Sequence, residues 1–457
     1  MKKRLFSLIV ALLAALVLVG CANKTNNNGG EEELTGTALA VSKASKMSLT
    51  ELEAAAKAEM EASTDTFKVV GLTSVLKKAL ATFVEKYDWL TEENTYVKND
   101  YKDYQLLAAL QSADNTYFAD YALVQDVRSI ADYDGELLHN FVPSDWQAMG
   151  LKEEDTVPLK GVHFNKLFYT NTNFETVTGK TLHNIWQLAG SENDAQHLSK
   201  VSFQTPTTEQ INMSFLLSCE DPANQKRIED AYQSYYGKKW EASSEYQTAG
   251  AQWVAEFIAN ISRWHSSDGT AMKETQLKDD WREGYVYYGA FAKMKDAVGK
   301  YWTVEGQADD PILKDLIVSE GDNAGKICAM DTVKWDLNIE GFNGFMYTMC
   351  SQIINNAKHP YTACLYARHL LTLQAYSDAI YNKSLPAADG TTGTTAVNQY
   401  GYYFPASNDI VYAKGDWTRD VHIAKELNEN YNYLKNIKGS QVSRILALAS
   451  ANSKAKK

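Results

Sequence analysis

Most of the short signatures that mark catalytic sites are missing here: there is no Gly-x-Ser-x-Gly elbow, no His-Glu-x-x-His pair and no phosphate-binding loop. Those absences set aside the matching hydrolase, zinc-protease and nucleotide-hydrolysing classes. The histidines (His139, His163, His183, His197, His265, His359, His369 and His422) are scattered without metal-ligand spacing, so no metal or cofactor is implied. Cysteine is scarce. Beyond Cys21 there are Cys219, Cys328, Cys350 and Cys364, none in a close Cys-x-x-Cys pair, which excludes the usual zinc spacings. Wide spacing in a large chain favours buried free thiols over disulfides, and Cys350 with Cys364 is the pair to test first. Basic charge is also short. The formal net charge is −12, and it becomes −15 once Lys2, Lys3 and Arg4 are removed (45 − 3 = 42 basic against 57 acidic residues). Nucleic acid is therefore not an expected partner, since phosphate binding needs a basic face. An anionic solute would have to be held by local dipoles.

No apolar run reaches the roughly 18 residues that a membrane span requires. The stretch from Leu5 to Val19 breaks at Ser7 and stops at Gly20. With Lys2, Lys3 and Arg4 in front of it, this is a secretory signal pattern. Leu18-Val19-Gly20-Cys21 resembles the lipobox of bacterial lipoproteins, in which cleavage exposes the cysteine for lipid attachment. Residues 1–20 then read as signal peptide and Cys21 as the lipidated N-terminus. Residues 21–47 read as a tether, because Ala22 to Gly30 has no periodic apolar face. That places the chain on the outer face of the cytoplasmic membrane. What remains is long enough for two lobes.

The folded part alternates strand and helix. Ser48 and Glu51 have capping-box spacing before a run rich in Ala, Glu and Lys, which predicts a solvated helix serving as a spacer. Phe67 to Val70 predicts a strand. It is followed by a Gly-containing turn and a helix whose apolar positions Val75, Leu76, Ala79, Leu80, Phe83, Val84 and Tyr87 recur at the helical period. Asn94 to Lys98 and Ala119 to Val124 predict further strands, with a helix over Tyr104 to Leu110 between them. After Pro158, Gly161 to Tyr169 predicts a long strand leaving the first lobe. The second lobe then repeats the pattern, with a strand at Val201 to Gln204, a turn, and a helix capped by Thr207 with Gln210. Trp253, Val254, Phe257, Ile258 and Ile261 form one helical face, and Tyr285 to Tyr288 predicts a strand. Gly344 to Tyr347 is extended, and Pro360 opens a helix through Leu371.

In open parallel sheets, ligands lie beyond the carboxyl ends of the strands. Thr73, Ser74, Gln125 and Asp126 are therefore candidates for one edge of a cleft, and Thr205 and Thr207 for the other. Thr73 or Ser74 alone reads equally as a helix cap. Helix N-termini on both walls would suit an oxyanion. Asp126, Asp336 and Glu340 would instead suit an ammonium group, and Trp335 with Tyr169 would stack on a sugar or cover a cation. Tyr287 and Tyr288 lie on one strand, so at most one of them faces a cleft.

In this order the segments resemble the α/β, two-lobed type II periplasmic-binding-protein fold. The likeness is to the branch of solute-binding lipoproteins that includes iron(III) and polyamine binders. Phe67 to Tyr87 is similar to that family's first strand and helix. Ala119 to Asp126, leading into Leu137 to Asp145, is similar to its lobe-one strand, and Gly161 to Tyr169 to its first hinge strand. Gly341 to Tyr347 and Ala357 to Ala363 resemble the return through the hinge and the helix that follows. The resemblance implies lobe 1 over 48–164, lobe 2 over 165–342, and a return with C-terminal helices over 343–457. It further implies a monomer that closes on a small solute (oxyanion, polyamine, sugar or chelated iron) and delivers it to an ABC permease, without catalysis. Iron-binding members use paired tyrosine phenolates, and neither Tyr235-Tyr236 nor Tyr287-Tyr288 aligns with that motif. A lipid-anchored, glycan-active enzyme is the alternative. Its two carboxylates need only lie about 5 to 9.5 Å apart in space, which spacing along a chain does not reveal.

Overall fold

The computed structural model describes residues 34–113, 116–190, 194–277, 283–290, 301–303, 317–335, 337–372, 375, 403–405 and 425–455. The chain divides into two compact units, Met1–Thr35 and Gly36–Lys457. The signal, Cys21 and the start of the tether fall in the first unit, outside the described residues. Asp336 and the Gly- and Thr-rich segment 389–395 also lie outside them.

Helix α1 (Gly36–Ala44) leads into α2 (Leu49–Glu61). The capping box forms as its spacing predicts: the Ser48 N–H donates to Glu51 Oε2 at 2.8 Å, and the Glu51 N–H to Ser48 Oγ at 3.3 Å. The spacer reading is corrected. Leu52, Ala56 and Met60, four apart, form a buried stripe. Glu59 accepts the N–H groups of Tyr361 and Thr362 at 3.2 and 2.9 Å. The helix is thus docked on the folded body rather than solvated.

Strand β1 (Phe67–Gly71) feeds α3 (Ser74–Lys86), whose buried face is Val75, Leu76, Ala79, Leu80 and Phe83. Each large apolar side chain on that face contributes roughly 1.5–3 kcal/mol of burial. Then come β2 (Thr95–Lys98), α4 (Asp103–Ser112), β3 (Tyr121–Val124) and α5 (Val127–Tyr133). The long β4 (Lys160–Asn171) carries the chain away. A second series follows: β5 (Val201–Gln204), α6 (Gln210–Ser218), α7 (Pro222–Tyr236), α8 (Ala249–Asn260), β6 (Ile261–His265), α9 (Asp268–Leu277) and β7 (Val286–Ala290). The chain returns along β8 (Gly344–Ile354) to α10 (Pro360–His369), and α11 (Gly439–Ala455) ends it.

The strands lie in the order β2-β1-β3-β8-β4-β7-β5-β6. β1 runs parallel to β2 and β3, and β5 runs parallel to β6 and β7. The crossovers β4 and β8 are antiparallel to each other, with Asn165 opposite Met346. The predicted hinge strands therefore meet. Gly344 makes their approach possible, because a Cβ there would run into the Lys166 carbonyl oxygen. Phe168, Phe203, Phe215, Phe257 and Tyr288 form the aromatic core of the second half, and Phe67, Phe83, Tyr121 and Tyr366 that of the first. Helix α11 rests on α6 and α8, so it belongs with the second half rather than with the first. Trp264 Nε1–H holds it through Asn452 Oδ1 at 2.9 Å, and Arg444 pairs with Glu220. Cys219, Cys350 and Cys364 are buried free thiols, so Cys350 and Cys364 do not pair.

Candidate functional site

The register brings the carboxyl ends of both strand sets toward one place. β3 ends at Val124, opposite Cys350, which also pairs with Lys160 at the start of β4. β7 ends at Ala290, opposite Lys166. The two sets of strand ends thus face each other along the crossover ladder from Lys160 to Lys166, about 20 Å at roughly 3.4 Å per residue. This is where a parallel-sheet fold presents ligand-binding groups.

On the first wall, Asp103 opens α4, and its carboxylate reaches back over the end of β3. Oδ2 accepts the Gln125 N–H at 2.9 Å and also the Asp126 N–H. Asp103 is 2% exposed, and its Oδ1 has no hydrogen-bond partner. Burial raises this carboxyl to about 7, and the nearby charges of Asp126 and Glu209 add to the rise while the two backbone donors oppose it. Asp126 caps α5 by accepting the Arg128 N–H at 3.2 Å, and it takes the guanidinium of Arg128 in a two-pronged pair at 2.9 and 3.0 Å. Glu429 accepts the Thr348 N–H at 3.2 Å, and its Oε1 is unpartnered. Burial lifts Glu429 to about 8; the Thr348 N–H opposes the rise, Asp126 adds to it, and Lys160 and Arg128 oppose it. Lys160 itself is held by Asp155 at 3.0 Å.

On the second wall the central group is Lys166, 1% exposed. Its Nζ donates to Asn212 Oδ1 at 2.9 Å and pairs with Asp268 at 3.2 Å and Glu209 at 3.8 Å. Asn212 is oriented by donating to the Gln204 carbonyl at 2.7 Å. Glu209, not Thr207, caps α6, accepting the Ile211 N–H at 3.3 Å. The Thr207–Gln210 capping box does not form, because the helix begins at Gln210 and Thr207 closes a turn with Thr205. The helix ends expected to greet an oxyanion already hold oxygens of the protein: Thr73 on α3, Asp126 on α5 and Glu209 on α6.

Among the residues singled out from sequence, Gln125 and Asp126 sit at the end of β3. Thr205 and Thr207 sit after the end of β5, and Thr73 at the end of β1 in a capping role. Ser74 is the first residue of α3, and its side chain is outside the described set. Tyr169 and Tyr287 are buried and stack on each other at 5.7 Å. Tyr288 stacks on Phe215 at 4.6 Å in the core, where burial pushes its hydroxyl well above the ordinary range. Trp335 is 9% exposed. Glu340 stands apart from the strand ends, accepting from Asn184 at 2.8 Å. Asp103, Lys166, Glu209, Asp268 and Glu429 were not anticipated. Applying the strand-end rule to β2, whose predicted helix begins one residue after Asp103, would have found the first of them.

No protein-family model and no curated relative matches the chain. Solved structures do. Apo ferric ion-binding protein A of Pasteurella haemolytica matches with a TM-score of 0.51 and 12% identity, over 85% of this chain and 98% of its own. A putative extracellular solute-binding protein from Bordetella parapertussis gives 0.52 and 11%, over 85% and 99%. An ABC transporter substrate-binding protein from Bradyrhizobium japonicum gives 0.51 and 10%, over 84% and 99%. These likenesses, with the mirrored strand order and paired crossovers, identify the architecture as the two-lobed type II periplasmic-binding-protein fold, with its cleft between the lobes.

Proposed function

We propose that this protein is the extracytoplasmic solute-binding subunit of an ABC importer. A lipid on Cys21 holds it at the outer face of the cytoplasmic membrane, and it acts as a monomer that passes one small polar solute to a permease. Lobe 1 is residues 48–164 with the return from 343, and lobe 2 is 165–342 with α11 added. The observation that carries the reading is the meeting of both sets of strand ends along the β4–β8 crossover ladder, which the short segments Tyr403–Pro405 and Leu427–Asn428 also join, with Asp103 and Lys166 buried at its two ends. A few extended crossovers can bend where a packed core cannot, so the walls can close on a guest and reopen. The named neighbours are binding proteins, which supports binding without turnover.

The test is a thermal-shift panel on the mature, unlipidated chain with amino acids, polyamines, phosphonates, oligosaccharides and ferric chelates. A true solute adds about 2.7 kcal/mol at a hundredfold excess over its dissociation constant and is recovered unchanged. Stabilisation by none of the classes, or conversion of the bound compound, would overturn the proposal. Cys21→Ser should release the protein from the membrane fraction, and full retention would remove the anchor.

A further inference from the structure

The chain goes out to lobe 2 along β4 and returns along β8 to α10, yet it ends on lobe 2, where α11 rests on α6 and α8. It must therefore cross between the lobes a third time, and residues 425–455 make that crossing. At their start they grip the ladder. The Asn343 N–H donates to the Lys425 carbonyl at 2.8 Å, and the Glu429 N–H to the Met346 carbonyl at 3.0 Å. Between these bonds Leu427 and Asn428 run parallel to Phe345 and Met346, whose partners on β4 are Lys166 and Asn165. Glu426, 1% exposed, accepts from Asn165 Nδ2 at 3.3 Å, so the grip reaches both crossover strands.

Beyond the ladder the fastening is one-sided. On lobe 2, Arg227 of α7 donates through Nε to the Gly341 carbonyl at 2.7 Å and through a terminal nitrogen to the Glu426 carbonyl at 3.0 Å. One planar guanidinium thus staples the segment to the point where lobe 2 ends. Asn430 Nδ2 donates to Asp221 Oδ2 at 2.7 Å, while the other Asp221 oxygen caps α7 through the Ala223 N–H at 2.9 Å. Farther along, Arg444 pairs with Glu220, and Asn452 joins Trp264 and the Ala259 carbonyl, each at 2.9 Å. Ile445 and Ala449, four apart, are buried. Lobe 1 is met more lightly. Glu429 takes the Thr348 N–H at 3.2 Å, and the short helix Tyr431–Leu434 that follows touches both α5 of lobe 1 and α6 of lobe 2.

Helix α5 follows β3 and α6 follows β5, so the two shift against each other whenever the lobes rotate about the ladder. A helix that touches both, on a segment bonded firmly to only one lobe, cannot follow both. We propose that residues 425–455 are a strap that moves with lobe 2 as one body and limits the rotation of the lobes, with Asn430–Asp221 and Arg444–Glu220 as its latches and the Tyr431–Leu434 helix bearing on α5 as its stop. Limiting the excursion keeps the walls near one spacing, so less freedom is lost when they close on a guest. The strap rests on the two-lobed fold and not on the identity of the solute.

The experiment is a spin-label distance measurement on the full mature, unlipidated chain without solute. Labels are attached through Ala81→Cys on α3 and Lys226→Cys on α7, both exposed positions, with Cys21→Ser and Cys328→Ser in the same chain and the buried thiols left in place. A single narrow interlobe distance is expected in this parent. Asn430→Ala and Arg444→Ala should each broaden it, and together they should widen the distribution about twofold. Leu434→Ala, which trims only the stop, should broaden it as well, so a variant that fails to fold leaves two others to decide. A parent distribution already as wide as that of the double variant would overturn the strap. So would a narrow one that the variants keep, even with lowered melting temperatures, because the segment would then be packing alone. Either failure leaves the solute-binding reading standing, which the thermal-shift panel decides separately.

Discussion

The two walls of the cleft are built on one plan and balanced differently. Each has a parallel three-strand set, a crossover strand on its inner edge, and an aspartate opening the helix that follows its second strand. In lobe 2 that aspartate has an internal lysine, 1% exposed and fully engaged by Asp268, Glu209 and Asn212. In lobe 1 it has backbone donors on one oxygen and nothing on the other. A shared backbone plan therefore does not impose shared electrostatics. The lobe 1 carboxyl is buried with one idle oxygen, while the lobe 2 aspartate is matched by an internal cation.

The sharpest way to break this contrast is to remove the cation from the balanced side. Lys166→Met should leave Asp268 and Glu209 without their counter-charge and Asn212 without its donor. Breaking a buried pair from one side costs about 3–5 kcal/mol. The expected loss is near about 3 kcal/mol, the lower end of that range, because Asp268 and Glu209 keep 13% and 21% of their side-chain exposure. Urea unfolding measures it, and Asp268→Asn in the same chain should restore part of the loss. Unchanged stability would mean that lobe 2 is not electrostatically closed, and the comparison would fail.

The same operation on lobe 1 should act with the opposite sign. Asp103 is lifted by burial from 3.8 to about 7, with Asp126 and Glu209 adding to the lift, so the fold prefers it protonated. The stability this group contributes is whole below about pH 4 and is lost as pH rises through about 7. Asp103→Asn removes that loss. Without solute, the variant should match the wild type at pH 4 and exceed it at pH 8 by about 1–3 kcal/mol, where about 1.4 kcal/mol corresponds to one unit of lift. Glu429→Gln should behave likewise over a window moved up to between 4.5 and about 8. The groups facing these two carboxyls are Asp126 with Arg128, Glu209, Lys160 and the Cys350 thiol, so Asp126→Asn should narrow both windows. Thermal melts at three pH values would show it. A variant less stable than wild type at pH 8 would mean that Asp103 is paired after all.

How far the sequence predicted this picture varies from element to element. Val201–Gln204 is a strand with the bounds the sequence suggested, and the Ser48–Glu51 box closes. Both depend on neighbours within three residues. β6 was missed because Ile261 continues the apolar period of α8, and the chain passes directly from helix at Asn260 to strand at Ile261 with no Gly or Pro to mark the junction. Asp103 looks like any acid in the first turn of a helix, a position the helix dipole favours anyway. Its reach to the end of β3 spans 22 residues of sequence. Lys166 within a strand reads as outward-facing, and its partners Asn212 and Asp268 lie 46 and 102 residues on. Periodicity reports what a residue does within its own element. The site is made by contacts between elements, which leave no period.

The smallest effects test whether the correspondence between lobes extends to the helix caps. Thr73 caps the helix after β1, and sequence placed Thr207 in the matching role after β5, but Glu209 holds it instead. Thr73→Ala should cost about 1 kcal/mol, since it removes the oxygen that takes the Val75 N–H. Thr207→Ala should stay within about 0.5 kcal/mol, because Thr207 is exposed and only closes a turn with Thr205. Glu209 takes over because a carboxylate at that position serves two ends at once, the Ile211 N–H and the Lys166 ammonium. Thr207→Ala should therefore be silent in urea melts, and a loss of about 1 kcal/mol would return the cap to Thr207 and free Glu209 for the cleft.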